Sequence, residues 1–340
     1  MSSQSVWAYI HEFSSHLAKE QPARLFHYTP ATSALSILRS AELWASSLVF
    51  MADTKESLKG LNLSLRLIDK LLERTQIPEP LSPTAQLSYS QHPKKRYALY
   101  QHLILTKLRD RLETYLKADN HILILSFSEH PDELSSWKRY APYGGYSLGF
   151  SADHLAIKGA EQSFQLLPCY YADWKDQAVV IQGALLGSLQ SWLAQVQELY
   201  YEGADLQKAY LESIKIVDRE TQRVHDILLQ VVSLLKHSDF KDEAEWRLVS
   251  DSVPAEYLHY DERGNKFFPY APYDFDDSLR EVKLRLPDSS MSALGLRGFL
   301  ASKQTSTNAV SVSLSKHAFQ KSGYDFVKKA EELDSHESEI

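Results

Sequence analysis

Two carboxylates one residue apart, Glu243 and Glu245, with Arg247 two positions further on, form the sharpest chemical pattern in this sequence. If Asp242 to Val249 is a strand, period-two alternation puts Glu243, Glu245 and Arg247 on one face and Ala244, Trp246 and Leu248 on the other. Neighbouring carboxylates repel, so one pKa rises unless Arg247 offsets it. Such pairs serve acid–base chemistry or stabilise a cationic transition state. The same pattern equally suits a solvated strand face with an energetically minor Glu–Arg pair. A second pattern is His27-Tyr28-Thr29, where His27 and Thr29 share one strand face and Phe26 and Tyr28 the other. It fits a cleft lining, or a satisfied core histidine. A third is Ser126-Phe127-Ser128, followed by Trp137-Lys138-Arg139-Tyr140: hydroxyls at a strand end, then an aromatic and a cation within one helical turn. It fits a ligand wall, or strand-end capping and helix packing.

The elements that must hold these residues follow from periodicity. Residues 5–19 carry Trp7, Ile10, Phe13 and Leu17 at helical spacing. Arg24 to Thr29 is a predicted short strand ended by Pro30, and Thr32 caps a helix with Leu35 and Leu38 inward. Leu43 to Ser46 is a second strand, and Lys55 to Arg74 a Leu-rich helix. Residues 76–95, with Pro78, Pro80, Pro83 and Pro93, make the best linker. Tyr97 to Lys117 is helical, and the apolar run His121 to Ser128 a central strand. Glu133 to Tyr140 is a short helix, Tyr143 to Tyr146 a turn, and Ser147 to Phe150 a strand. Phe164 to Tyr171 is a strand in which Pro168 suggests an edge or a bulge. Two long helices cover 178–201 and 204–236, and strands are expected at 243–249, 256–260, 280–286 and 309–314.

These elements define an α+β class, without the regular beat of a doubly wound fold. We predict one domain over 1–330, with core segments 22–52, 120–172 and 240–318 and helical insertions at 55–118 and 178–236. The apolar stripes of 178–236 suit a homodimer. Residues 331–340 are an acidic tail.

Composition narrows the functional classes. The 340 residues carry 37 Lys+Arg against 44 Asp+Glu, a formal charge of −7, so no whole-protein attraction to nucleic acid is expected. Cys169 is the only cysteine, which excludes an internal disulfide or a multi-Cys zinc site and fits a reducing cytoplasm. It lies in an apolar stretch, as a packing residue would. The 13 histidines lack ligand spacing, and no metal site is expected. Met1-Ser2-Ser3-Gln4 begins no signal peptide, and Ala178 to Leu193 is too interrupted to span a membrane. Phosphate-cradling glycine loops, a nucleophile elbow and a His-Glu-x-x-His helix are all missing from the sequence.

Taken in order, Leu25-Phe26-His27-Tyr28-Thr29, Leu43-Trp44-Ala45-Ser46, Leu125-Ser126-Phe127-Ser128, Ser136-Trp137-Lys138-Arg139-Tyr140-Ala141, Tyr146-Ser147-Leu148-Gly149-Phe150 and Glu245-Trp246-Arg247 resemble the bacterial domain-of-unknown-function 2971 family over roughly 24–250. At Ala52-Asp53-Thr54 the sequence departs from that family's Asn-Asp-Pro, while Asp53 and Glu56 keep some acidic character. The family in turn resembles, remotely, the ADP-ribosyltransferase superfamily. That resemblance implies an ADP-ribosyltransferase-like core of short strands with inserted long helices.

It further implies an enzyme that consumes NAD as substrate. His27 and Tyr28-Thr29 would meet the ribose and nicotinamide, and Glu245, with Glu243, would stabilise the ribosyl cation. Ser126 and Ser128, or Tyr140 or Tyr146, would supply the middle element, with Trp137 or Tyr140 as an aromatic wall. Arg24 or Arg139 would meet the diphosphate. The acceptor is an unidentified protein or nucleic acid, and by resemblance the role is that of a toxin or antiphage effector. A non-catalytic nucleotide- or partner-binding module on the same fold is the alternative. A metal-dependent nuclease using Asp53, Glu56, Glu243 and Glu245 is a third reading.

Overall fold

The computed structural model describes residues 13–50, 54–77, 81–115, 120–201, 203–262, 267–286, 289–303 and 310–317. Along the chain, β1 (Arg24–Pro30), α1 (Ala31–Ser40), β2 (Glu42–Ser47) and α2 (Thr54–Thr75) precede α3 (Pro83–Gln91), α4 (Pro93–Tyr115) and β3 (Asn120–Ser128). Next come α5 (Leu134–Tyr140), β4 (Gly145–Ser151), α6 (Ala152–Glu161), β5 (Phe164–Pro168) and β6 (Tyr170–Tyr171). The long helices α7 (Trp174–Glu198) and α8 (Leu206–Leu234) run into β7 (Leu235–Lys236) and β8 (Glu245–Pro254). Strands β9 (His259–Glu262), β10 (Phe267–Asp274) and β11 (Leu279–Arg285), helix α9 (Ser289–Lys303) and β12 (Ser311–Leu314) follow. The class is mixed α and β, with both parallel and antiparallel strand pairs.

Two compact units are assembled from interleaved segments. The first takes in the chain up to Leu25, Ala41–Glu129 and Ser151–Ser278; the second takes in Phe26–Ser40, His130–Phe150 and the chain from Leu279. In the first unit an antiparallel sheet runs in the order β5-β8-β3-β2-β10-β9. Ile122 to Leu125 of β3 are buried on both faces, which is why this run has no polar alternation. Ile122 and Ile124, with Leu167 of β5 and Val249 of β8, join a core built by α2, α4, α7 and α8. Each buried aliphatic side chain there contributes roughly 1.5–3 kcal/mol relative to exposure.

The apolar stripes of 178–236 are part of that core. Val180, Ile181, Leu185 and Trp192 of α7 and Val224 and Leu228 of α8 are buried with Leu61 and Ile68 of α2 and Leu105 of α4. The two predicted helical insertions therefore cover each other, and the homodimer face expected from those stripes is consumed within one chain.

Local chemistry explains several element starts that periodicity misplaced. The predicted linker 76–95 contains α3: Ser82 accepts a hydrogen bond from the Ala85 N–H at 3.2 Å, and Pro83 fits the first helical turn, where its missing N–H costs nothing. Helices α7 and α8 begin earlier and later than expected because Asp173 and Asp205 cap them. In α1 the buried residue is Ala34 while Leu35 is exposed, so the inner face is rotated from the one predicted. Helix α6, strand β10 and helix α9 lie where no element was assigned. Of the predicted helix over 5–19, residues 13–17 are helical and 18–19 have left the helix; residues 5–12 lie outside the described residues, as does the acidic tail.

The second unit pairs β12 in parallel with β11, β11 antiparallel with β4, and places β1 beside β4. Its core holds Phe26, Tyr28, Trp137 and Ala141, with Tyr140 packed against them. Gly145 lets β4 approach β1: a Cβ there would stand 2.2 Å from the Thr29 carbonyl oxygen, a distance no side chain tolerates.

Candidate functional site

Glu243 and Glu245 converge, although they do not share a strand. Residues Ser238–Glu243 form a 3-10 turn, Ala244 adopts a left-handed conformation at φ 41°, and β8 begins only at Glu245. The predicted strand thus starts two residues late, and the kink at Ala244, rather than alternation, turns both carboxylates onto one cation. That cation is Lys236, fully buried in β7 just past the end of α8, whose Nζ donates to Glu243 Oε2 and Glu245 Oε2. Arg247 Nε donates to the other oxygen, Glu245 Oε1, at 2.7 Å, and a second Arg247 nitrogen donates to the Ser233 carbonyl. Two anions and two cations are enclosed together, as burial of charge requires.

The backbone around this cluster is equally held. The Glu245 N–H donates to the Tyr171 hydroxyl at 2.7 Å, and the Cys169 N–H donates to the Glu245 carbonyl at 2.9 Å. β3 lies alongside, with Ser126 opposite Arg247 and Ser128 opposite Glu245. The Ser128 hydroxyl donates to the Glu243 carbonyl at 2.7 Å, and the Glu129 N–H to that of Ala244 at 3.0 Å. The Ser-Phe-Ser and Glu-Ala-Glu segments, singled out separately in the sequence, are therefore hydrogen-bonded to each other.

Electrostatics fixes the ionisation of the cluster. Burial alone would raise the Glu245 carboxyl, but Arg247 and then Lys236 outweigh it and push it down to about 2. For Lys236 burial works against the charge, as does Arg247, yet Glu245 and Glu243 hold the ammonium above the ordinary lysine range. Burial pushes the Cys169 thiol up, so it is a packing residue and a poor nucleophile.

The remaining candidates lie in the second unit, except Arg24, which is exposed at the start of β1. His27 is half-buried and Thr29 buried. Tyr28 and Trp137 meet edge to face, ring centroids 4.9 Å apart. The Tyr28 hydroxyl donates to the His130 carbonyl at 2.8 Å and accepts from the Glu133 N–H at 2.9 Å; burial pushes its pKa up to about 12. Trp137 is completely buried, and its indole N–H donates to Asp132 at 2.7 Å. These two rings serve the core of the unit, so the aromatic wall offered to a ligand here is reduced to half-buried Tyr140 and Tyr146. Asp132 also accepts from the Ser315 hydroxyl and the Lys316 N–H, and these contacts outweigh burial to lower its pKa.

Sequence reasoning missed Lys236 and Tyr171. The signal for Lys236 was a single cation closing the apolar run Val231-Val232-Ser233-Leu234-Leu235; Tyr171 carried none. Of the residues in the nuclease reading, Asp53 lies outside the described residues, and Glu243 and Glu245 are paired with cations. Among the described residues no group of His, Cys, Asp and Glu suited to a metal is present, and no helix is long and apolar enough to cross a membrane.

The fold and this cluster define an α- and β-containing protein with a buried four-charge network at the start of a central strand. Over residues 136–248, about a third of the chain, it matches a family model described as "Protein of unknown function (DUF2971)". That segment runs from the helix of Trp137 and Tyr140 through Lys236 to Leu248 and leaves out His27 and Ser128. No curated protein and no solved structure matches the chain.

Proposed function

We propose that the chain is an ADP-ribosyltransferase-like enzyme that cleaves the nicotinamide–ribose bond of NAD and passes ADP-ribose to a macromolecular acceptor. The observation that carries this reading is the register of β3 and β8, which sets Ser128 directly opposite Glu245 and ties its hydroxyl to Glu243. The resemblance calls for a late-strand Glu-x-Glu and for a middle element that is a Ser-x-Ser or a stacking Tyr, and the first of those two alternatives is hydrogen-bonded to the Glu-Ala-Glu segment here. In the reaction, neutral nicotinamide leaves with the bonding electrons, and a carboxylate stabilises the oxocarbenium-like ribosyl cation until an acceptor nucleophile captures it. Glu245 has that role. Both Glu245 oxygens are engaged in the resting protein, so one cation must yield before the carboxylate meets a ribose hydroxyl.

The test is nicotinamide release by purified protein, with and without cell lysate or nucleic acid, beside Glu245→Gln matched for folding by circular dichroism. Release that the substitution abolishes supports the proposal, and dependence on lysate then leads to the acceptor. A toxin or antiphage role adds a second expectation: expression arrests growth and Glu245→Gln relieves the arrest. The saturation of Glu245 by Arg247 and Lys236 favours a second reading, a non-catalytic nucleotide- or partner-binding module. Saturable NAD binding without nicotinamide release is its signature.

A further inference from the structure

Helix α9 departs from the rule that a surface helix turns its charges to water. Its inner face is ordinary: Ala293, Leu296 and Leu300 are buried where the helix packs on β11 and β12 of the second unit. The opposite face, at the same helical spacing, carries Met291, Leu294, Gly295, Gly298, Ala301 and Ser302, all exposed. Met291 and Leu294 are 65% and 62% exposed. Among the described residues of α9, no charge falls on that face. Arg297 and Lys303 lie on the flanks, where they donate to the Val312 carbonyl at 3.2 Å and the Arg39 carbonyl at 3.5 Å. A helix whose outer face is as uncharged as its inner one is ordinarily covered on both.

The relief of this outer face has an order. Its bulky side chains, Met291 and Leu294, come first along the helix, and its glycines, Gly295 and Gly298, come after. A Cβ built on either glycine meets nothing within 4 Å among the described residues, so both open outward. Laid antiparallel against a second copy of itself, about a two-fold axis between residues 294 and 295, the face meets its own complement. Met291 of each copy stands against Gly298 of the other, and Leu294 against Gly295. Projection meets gap in both pairs, as a self-complementary two-fold contact requires. Small residues opposite large ones let the helix axes approach to about 8 Å.

We propose that this face of α9 binds a second copy of the chain, forming an antiparallel two-fold helix pair. A different protein would need its own matching projections and gaps, whereas a second copy supplies them by symmetry. The charge fits the same partner. The chain carries a formal charge of −7, and two such molecules meet here without like charges opposed. One helix pair covers less than the roughly 800 Å² per partner of a standard interface, so the dimer is weak and follows protein concentration. It uses no residue assigned to NAD chemistry.

The test is sedimentation equilibrium of the full-length protein from about 1 µM to about 500 µM, beside Leu294→Glu and Gly298→Leu. We expect a monomer–dimer equilibrium with Kd on the order of 10–100 µM. Leu294→Glu brings two carboxylates together beside the two-fold axis and weakens the dimer at least about tenfold. Gly298→Leu fills the seat of Met291 and weakens it similarly, although it adds apolar surface. With nothing within 4 Å of its Cβ, that substitution leaves the thermal midpoint of the monomer unchanged or raised. General stickiness predicts the reverse, a stronger association in Gly298→Leu. A full-length protein that stays monomeric throughout, its face covered by its own chain or by a different protein, would overturn the proposal. So would association that either variant leaves unchanged or that Gly298→Leu strengthens.

Discussion

The two ends of β8 carry the same chemistry in opposite states. At its start, Glu245 is enclosed, and each of its oxygens accepts from a buried cation. Five residues later the chain bulges, and the Asp251 carboxylate stands exposed with no side-chain partner among the described residues. An acid enclosed in the fold must be neutralised by neighbours, because an unpaired buried charge costs several kcal/mol. An acid at the surface keeps its water and needs no such partner. The first end is therefore stable and closed, and any chemistry there requires an ion pair to open. The second is open and contributes little to stability.

The comparison is broken most directly at Lys236. Lys236→Ala leaves Glu243 and Glu245 enclosed beside a single guanidinium, and we expect a loss of about 3–5 kcal/mol, read as a fall in the urea midpoint. The pH dependence is smaller. Because the folded pKa of Glu245 is depressed from 4.5 to about 2, its contribution is present above about pH 4.5 and is lost as the pH falls towards 2. We expect stability to drop over that window by on the order of 3 kcal/mol more in the native protein than in Glu245→Gln, measured by urea unfolding at several pH values.

Ala244→Gly sharpens the comparison from the backbone side. It relieves a left-handed alanine at φ 41° while leaving the charges intact, so the protein should gain up to about 1 kcal/mol; a loss would mean that the methyl group, not the turn, aligns the carboxylates. Asp251→Asn has the smallest effect, within about 0.5 kcal/mol, since nothing buried depends on that charge. A large change at Asp251 would erase the distinction between the two ends.

Much of this arrangement was legible in the residues. β3 announced itself as a continuous apolar run because both its faces are covered, and α2 by its leucine period. Trp246 and Leu248 were legible as inward residues, and Glu245 with Arg247 as partners across one face. Lys236 was not, because a lysine beside leucines reads as a helix end until the chain is folded and the returning turn brings two carboxylates to it. The kink at Ala244 left no trace either, since alanine gives no sign of a left-handed conformation. Helix α3 was hidden by prolines that normally break helices but here sit at its entry. The bulge beside Asp251 is a one-residue register shift, which periodicity over so short a stretch cannot reveal.

The central claim is that Glu245 is a neutralised carboxylate that NAD can draw into use. Carboxyl carbon-13 NMR of protein labelled at glutamate, with the Glu245 signal assigned by its loss in Glu245→Gln, tests this directly. The account predicts a resonance that titrates near pH 2 in the free protein and shifts on saturation with NAD. A Glu245 signal that titrates in the ordinary glutamate range, or one that NAD leaves unmoved, would contradict it.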